Sequence, residues 1–218
     1  MAEINPTQRV YDVMQSLKDG NYLIPNIQRG YEWDQARVLK LLDSIMSGYP
    51  IGAIMVWQPT EDIQADIPTR PFIKDFESTQ DYLTLPARAG NKGARLVLDG
   101  QQRLQSLYIS FFGSYDKHRV YLNVTLIPSD EDGDTDYGFE FLEPHEVGKR
   151  PEMVPLDVLI NLDIDDEFRF VEDLLIELIP VAKEADAGTQ KRTGLRNNIN
   201  NNIRKFKNRF NEKQILLF

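Results

Sequence analysis

Apolar positions recur along this chain with two different periods, and the switch between them marks out its elements. Val10, Val13, Met14 and Leu17 stand at helical spacing behind the helix-start signal Asn5-Pro6-Thr7, and Gly20 is placed to stop that helix. Val38, Leu41, Leu42, Ile45 and Met46 repeat the pattern between Asp34, suited to cap a helix, and Gly48, suited to end one. Ile51 to Trp57 is apolar almost without a break, which predicts a central strand buried on both faces. Leu96 to Leu98 is a shorter run of the same kind. Gln101 to Gly113 returns to the helical period, with Leu104, Leu107, Tyr108 and Phe111 on one face. Tyr22 to Ile27 reads as an extended segment interrupted by Pro25, hence an edge strand or the lead-in to one.

Further along, Val120–Ile127 and Tyr137–Leu142 alternate as strands do. Residues 58–95 are rich in loop formers, with a hairpin-like turn expected between Tyr82–Leu85 and the strand at Leu96. Beyond Pro155, Leu156–Leu162 and Asp165–Ile179 predict helices, the second ending at Pro180. Gly188 to Gly194 reads as a polar break. Leu195–Asn211 reads as a basic helix anchored by Ile199, Ile203, Phe206 and Phe210. Gln214 to Phe218 opens what looks like a new strand, so the expectation is an N-terminal piece of a longer protein. The predicted class is α+β. A small mixed sheet built from 22–27, 51–57, 96–99, 120–127 and 137–142 is flanked by helices in a domain over residues 1–150. A helical extension over 151–218, truncated at its C-terminal end, follows.

Composition narrows the picture only a little. With 41% apolar and 27% charged residues the chain is an ordinary globular one, and without cysteine it has neither disulfides nor thiolate metal sites. No apolar run approaches a membrane span and no signal peptide opens the chain, so a cytoplasmic location with no membrane partner is expected. The net charge of −9 argues against broad electrostatic binding of DNA. That charge is uneven: 129–173 is acidic, whereas 188–213 carries Lys191, Arg192, Arg196, Arg204, Lys205, Lys207, Arg209 and Lys213. A solvated helix face explains the basic run best, ahead of nucleic acid or an acidic partner such as the chain's own acidic segment. The acidic tract Asp130–Asp136 lacks the Gly and Glu of a calcium loop in either register and reads as a solvated hairpin loop. His118 and His145 are isolated, and no nucleophile triad or phosphate-loop fingerprint exists, so no nuclease centre is expected here.

The chemistry concentrates where the Leu96 strand runs through Asp99-Gly100 into the next helix. Gln101, Gln102 and Arg103 occupy that helix's first turn, where unpaired amides and the positive dipole end form an anion site that Arg103 can reinforce. A second reading stands beside it. Asp99 and Gln102 have the spacing of a capping box, which needs no ligand but leaves Gln101 and Arg103 without a purpose.

Asp99-Gly100-Gln101-Gln102-Arg103-Leu104 behind an apolar strand resembles the signature of a large bacterial family, long catalogued as domain of unknown function 262. That family forms the N-terminal part of GmrSD-type restriction enzymes. Ile24-Pro25-Asn26-Ile27-Gln28-Arg29-Gly30-Tyr31-Glu32-Trp33 resembles its other N-terminal motif, and the match is good over residues 8–127. The family's further Phe-x-Arg-x-Asn stretch is absent, and Gln105-Ser106 stands where Thr-Thr is common, leaving any hydroxyl role to Ser106.

The resemblance implies a ParB/sulfiredoxin-like fold that binds a nucleoside triphosphate, GTP or ATP with the base unspecified. It further implies phage-defence or modification-dependent restriction, with hydrolysis controlling a nuclease domain carried C-terminally or on a partner, and DNA reached through the full-length protein. An oligomer is compatible. Under it, Gln28, Arg29, Tyr31, Gly100, Gln102, Arg103 and Ser106 bind nucleotide, and Asp99 holds Mg²⁺ or caps the helix. Asp99, Gln101, Gln102 and Arg103 carry hydrolysis, a glutamine orienting the water. The competing expectation is a non-catalytic DNA- or partner-binding module whose turn is only a helix cap.

Overall fold

A computed structural model describes residues 5–60, 66–83, 93–131, 134–179 and 185–217. The strands are β1 Asn5–Arg9, β2 Tyr22–Pro25, β3 Ala53–Trp57, β4 Thr69–Arg70, β5 Asp75–Phe76, β6 Arg95–Asp99, β7 Ser114–Tyr115, β8 Arg119–Asn123, β9 Ser129–Glu131, β10 Asp134–Asp136, β11 Phe139–Leu142, β12 Met153–Pro155 and β13 Lys213–Leu217. The helices are α1 Val10–Lys18, α2 Gln35–Ser47, α3 Gln101–Phe112, α4 Pro144–Val147, α5 Leu156–Asn161, α6 Ile164–Leu178 and α7 Ala185–Asn211. This is the mixed α+β content the sequence predicts, with helices dominating the C-terminal part.

The chain divides into two compact units, residues 1–117 with 210–218, and residues 118–209. The boundary expected at residue 150 falls inside the second unit, because β12 pairs with β8 alongside β11.

The first unit is built on a mixed sheet of order β1-β13-β3-β6-β2-β4. β6 runs antiparallel to β3 and parallel to β2, so its end delivers α3 from the sheet's interior. Val10, Val13, Met14 and Leu17 of α1 are buried, as are the five apolar positions read on α2. Asp34 caps α2 by accepting the Arg37 N–H (2.8 Å), and Gly48 closes it in a left-handed conformation.

Three expectations fail here. Asn5-Pro6-Thr7 belongs to β1, not α1; as an edge strand, β1 tolerates a proline that lacks an N–H. β2 lies between β6 and the two-residue β4, so it is not an edge; Pro25 sits at its end, opposite Thr69. β3 is central but buried on one face only, since Ile54 is fully enclosed while Met55 and Trp57 are 50% and 40% exposed. The turn predicted near residues 86–92 and the helix end at Pro180 lie outside the described residues.

In the second unit β8 carries β11 and β12 on its two edges, and Val120, Leu122, Phe139 and Val154 are buried. The acidic tract forms the antiparallel β9–β10 pair expected of a hairpin. Helix α6 starts where Asp163 accepts the Asp166 N–H (2.8 Å). The break predicted at 188–194 does not occur, because α7 is continuous from Ala185. Two glycines each cost about 1 kcal/mol in a helix, and the run contains no proline to force a stop. Arg192 and Arg196 pair with Glu172 on α6 on either side of Gly194. The basic helix thus meets the chain's own acidic residues, Lys207 also reaching Glu167 at 2.9 Å.

Candidate functional site

Leu96 and Val97 are fully buried in β6, Leu98 is partly open, and Asp99 is exposed, so the strand emerges from the core where the motif starts. Gly100 then takes φ +86, and a β-carbon there would lie 2.3 Å from Ile54 Cδ1 and 3.1 Å from Arg103 Nη2. Only glycine fits that combination of a left-handed backbone and close packing. Gly100 is therefore the N-cap of α3, and no side chain caps it. The capping box expected between Asp99 and Gln102 is not formed: the positive φ at Gly100 shifts the helix start by one residue. The cap-only reading of the turn falls with it.

What the first turn does instead is hold the 28–33 segment. Gln102 Nε2 donates to the Gly30 carbonyl (2.7 Å), and its Oε1 accepts the Glu32 N–H (2.9 Å). Gln101 Nε2 donates to the Arg29 carbonyl (3.2 Å), and Gln28 Nε2 reaches back to the Leu98 carbonyl (2.7 Å). Ser106 gives its hydroxyl proton to the Gln102 carbonyl (2.8 Å), so the 2.7 Å contact between Tyr31 and Ser106 has the phenol as donor. Burial raises the Tyr31 pKa, which keeps it a neutral donor. Its ring meets Phe76 edge-on at 4.9 Å. The two motifs, some seventy residues apart in sequence, form one compact cluster that brings Gln28, Arg29, Tyr31, Gly100, Gln101, Gln102 and Ser106 together.

Arg103 has a different setting from the one its spacing suggested. Nη1 donates to the Ile51 carbonyl (2.5 Å) and Nη2 to the Ala53 carbonyl (2.9 Å), with Asp99 at 3.5 Å. Gly52, at φ +84, leaves the space this guanidinium fills. Arg103 thus ties α3 to the start of β3. The Arg29 side chain, 66% exposed, pairs with Glu32 at 2.8 Å, while its carbonyl faces inward.

The family model for the GmrSD restriction endonuclease N-terminal domain matches residues 10–217. The chain belongs to that family. The GmrSD assignment takes in both motifs and β13, and so reaches well past the stretch over which the sequence resemblance was good. An uncharacterized protein of Methanocaldococcus jannaschii is 28% identical over 110 residues, 49% of this chain and 17% of that protein. The match therefore spans less than a fifth of the relative's length.

Within the GmrSD-type cluster lies a pocket with about 270 Å³ of empty space, its open mouth included. Gln101, Gln102, Gln105, Tyr31 and Arg70 line it. Arg70 is the residue that sequence reasoning missed. Its Nη2 donates to the carbonyls of Gln28 (3.0 Å) and Arg29 (2.6 Å), while Nη1 is buried with no partner. The available signal was a lone cation within Ile67-Pro-Thr-Arg-Pro-Phe72, a short segment stiffened by two prolines. Gln105, noted in the sequence only as a departure from the family pattern, grips Ile73 from both sides, accepting its N–H (2.9 Å) and donating to its carbonyl (2.6 Å). Among the described residues no group of three metal-binding side chains exists, and no helix is long and apolar enough to cross a membrane. Asp99, paired with Arg103 at 3.5 Å, still has its side chain 73% exposed at the turn.

Proposed function

We propose that this chain is the nucleoside-triphosphate-binding regulatory domain of a modification-dependent DNA restriction and phage-defence protein, and that it hydrolyses the nucleotide. One observation carries the reading: both family motifs close around a single pocket that contains a buried guanidinium and the first turn of α3. Phosphate recognition needs this kind of equipment, a fixed cation and a positive helix end held by a rigid frame. The base is left open between GTP and ATP. DNA contact and nuclease action belong to the rest of the protein or to a partner.

Magnesium accompanies triphosphates, and it is held by one or two carboxylates with the phosphates supplying further oxygens. Asp99 fits that limited role, being exposed and beside the pocket's turn, and the metal would supply charge neutralisation. Within the chain, Gln102 has both ends of its amide engaged and acts as a positioning residue. Orienting water therefore falls to Gln101. The same commitment of side chains to backbone favours a second reading, nucleotide binding without turnover.

Equilibrium titration with GTP, ATP and CTP, with and without Mg²⁺, tests the proposal. Saturable binding strengthened by Mg²⁺ is expected. Absence of binding to all three would sink it. Phosphate release separates the readings: Gln101→Ala should abolish it while leaving affinity within about threefold, a difference below 1 kcal/mol. Binding with no release in the wild type selects the second.

A further inference from the structure

Arg70 is only 7% exposed, yet among the described residues no carboxylate pairs with it. A buried cation normally has a counterion, because leaving charge uncompensated in a low-dielectric interior is costly. Arg70 has two carbonyls on one nitrogen and nothing on the other. Burial alone pulls its pKa down, with no neighbouring charge contributing. Neutralisation is not open to a guanidinium at ordinary pH. Among the described residues nothing supplies that counterion, and the group lines a pocket that opens outward, where an anion from outside can meet it.

Ligand chemistry follows from what surrounds it. The enclosed part of the pocket has room for about one water-sized atom group and Nη1 is closed off behind it, so a single oxygen reaches it as the lining yields while the remainder of the ligand stays at the mouth. Both hydrogens of Nη2 are already occupied, so the two-pronged grip open to carboxylate and phosphate alike is excluded and the anion takes a single contact at Nη1. A phosphoryl group makes that contact with one oxygen and keeps others for the helix end beside it. Gln101 and Gln102, from the positive end of α3, lie against the same space.

We infer that Arg70 is the oxyanion anchor of this pocket, Nη1 donating to a phosphoryl oxygen while Nη2 keeps the 28–33 segment in place. For a nucleotide phosphate this rests on the nucleotide-binding reading above; free phosphate and pyrophosphate present the same oxygens.

Titration of the whole chain with GTP, ATP, pyrophosphate and inorganic phosphate, wild type against Arg70→Lys and Arg70→Gln, tests it. Affinity for whichever ligand binds should fall about ten- to hundredfold in both variants. Circular dichroism verifies folding; if Arg70→Gln does not fold, Arg70→Lys, which keeps the charge but not the fork, carries the comparison. A measurement without any variant supports both: the Arg70 Nε–H resonance of the wild type should shift on saturation. No shift overturns the anchor, as does undiminished nucleotide affinity in folded variants, and the latter leaves the nucleotide reading standing. Arg70-dependent binding of phosphate or pyrophosphate with no nucleotide binding supports the anchor and overturns the nucleotide reading. If the wild type binds none of the four, both fall.

Discussion

Helices α3 and α7 both carry many polar residues, and they use them in opposite ways. On α3 the glutamines are neutral, buried and matched to backbone groups: Gln102 grips Gly30 and Glu32, and Gln105 grips Ile73 at both its N–H and its carbonyl. On α7 the cations Arg192, Arg196 and Lys207 are partly open and matched to carboxylates of α6, with Ile199, Ile203 and Phe206 forming the buried side. A buried amide answers one backbone geometry and leaves orphans behind if removed, so it specifies where a loop lies. A half-exposed ion pair tolerates substitution, because water and salt replace its partner.

Gln102→Ala should break the α3 side hardest. Stranding the Gly30 carbonyl and the Glu32 N–H should lower stability by roughly 2–3 kcal/mol in denaturant unfolding, whereas a loss under about 0.5 kcal/mol would mean that water reaches both groups freely. Gly100→Ala comes next, at about 2 kcal/mol, from the left-handed backbone and the contact with Ile54. It should also weaken nucleotide binding, read by the same titration, because the first turn of α3 would be re-aimed.

On the α7 side, Arg196→Ala should cost less than about 1 kcal/mol, and less again in high salt. Parity with Gln102→Ala would erase the contrast. The smallest effect concerns another ion pair of the second unit, Arg150 with Glu140 at 2.6 Å. The hydrogen bond from Arg150 holds the Glu140 carboxyl below its usual range. A lowered folded-state pKa gives stabilisation that is present above the unfolded value, about 4.3 for Glu, and lost as pH falls through the folded one. Glu140→Gln should therefore lower the neutral-pH midpoint slightly, leave the acid end unchanged, and so flatten the acid limb of an unfolding-midpoint profile.

The same contrast explains how much could be read in advance. Helices α1, α2 and α3 and the strand β6 were legible because each obeys its own period with its own stop residue. The meeting of the Ile24–Trp33 and Asp99–Leu104 motifs was legible only through resemblance, since spacing cannot bring residues seventy apart together. Asn5-Pro6 looked like a helix start because the strand that recruits it lies about two hundred residues away. The capping box failed on one dihedral at Gly100. Arg103, expected at phosphate, is held by carbonyls of Ile51 and Ala53, and nothing local marks those carbonyls as available. Arg70, inside a stretch read only as loop-rich, went unmarked because burial is a property of the assembled fold.

Strand β13 sits between β1 and β3 in the main sheet, yet it comes last of all the strands. On the ribosome, β1 and β3 emerge early, with β3 finding β6 about forty residues later. The other flank of β3 must wait for more than a hundred and fifty residues, the whole of the second unit included. Until then two strand borders stand open, the kind of surface that invites pairing with a neighbouring nascent chain. Cutting the chain just before Lys213 would make that wait permanent, and insolubility on expression is the expected symptom.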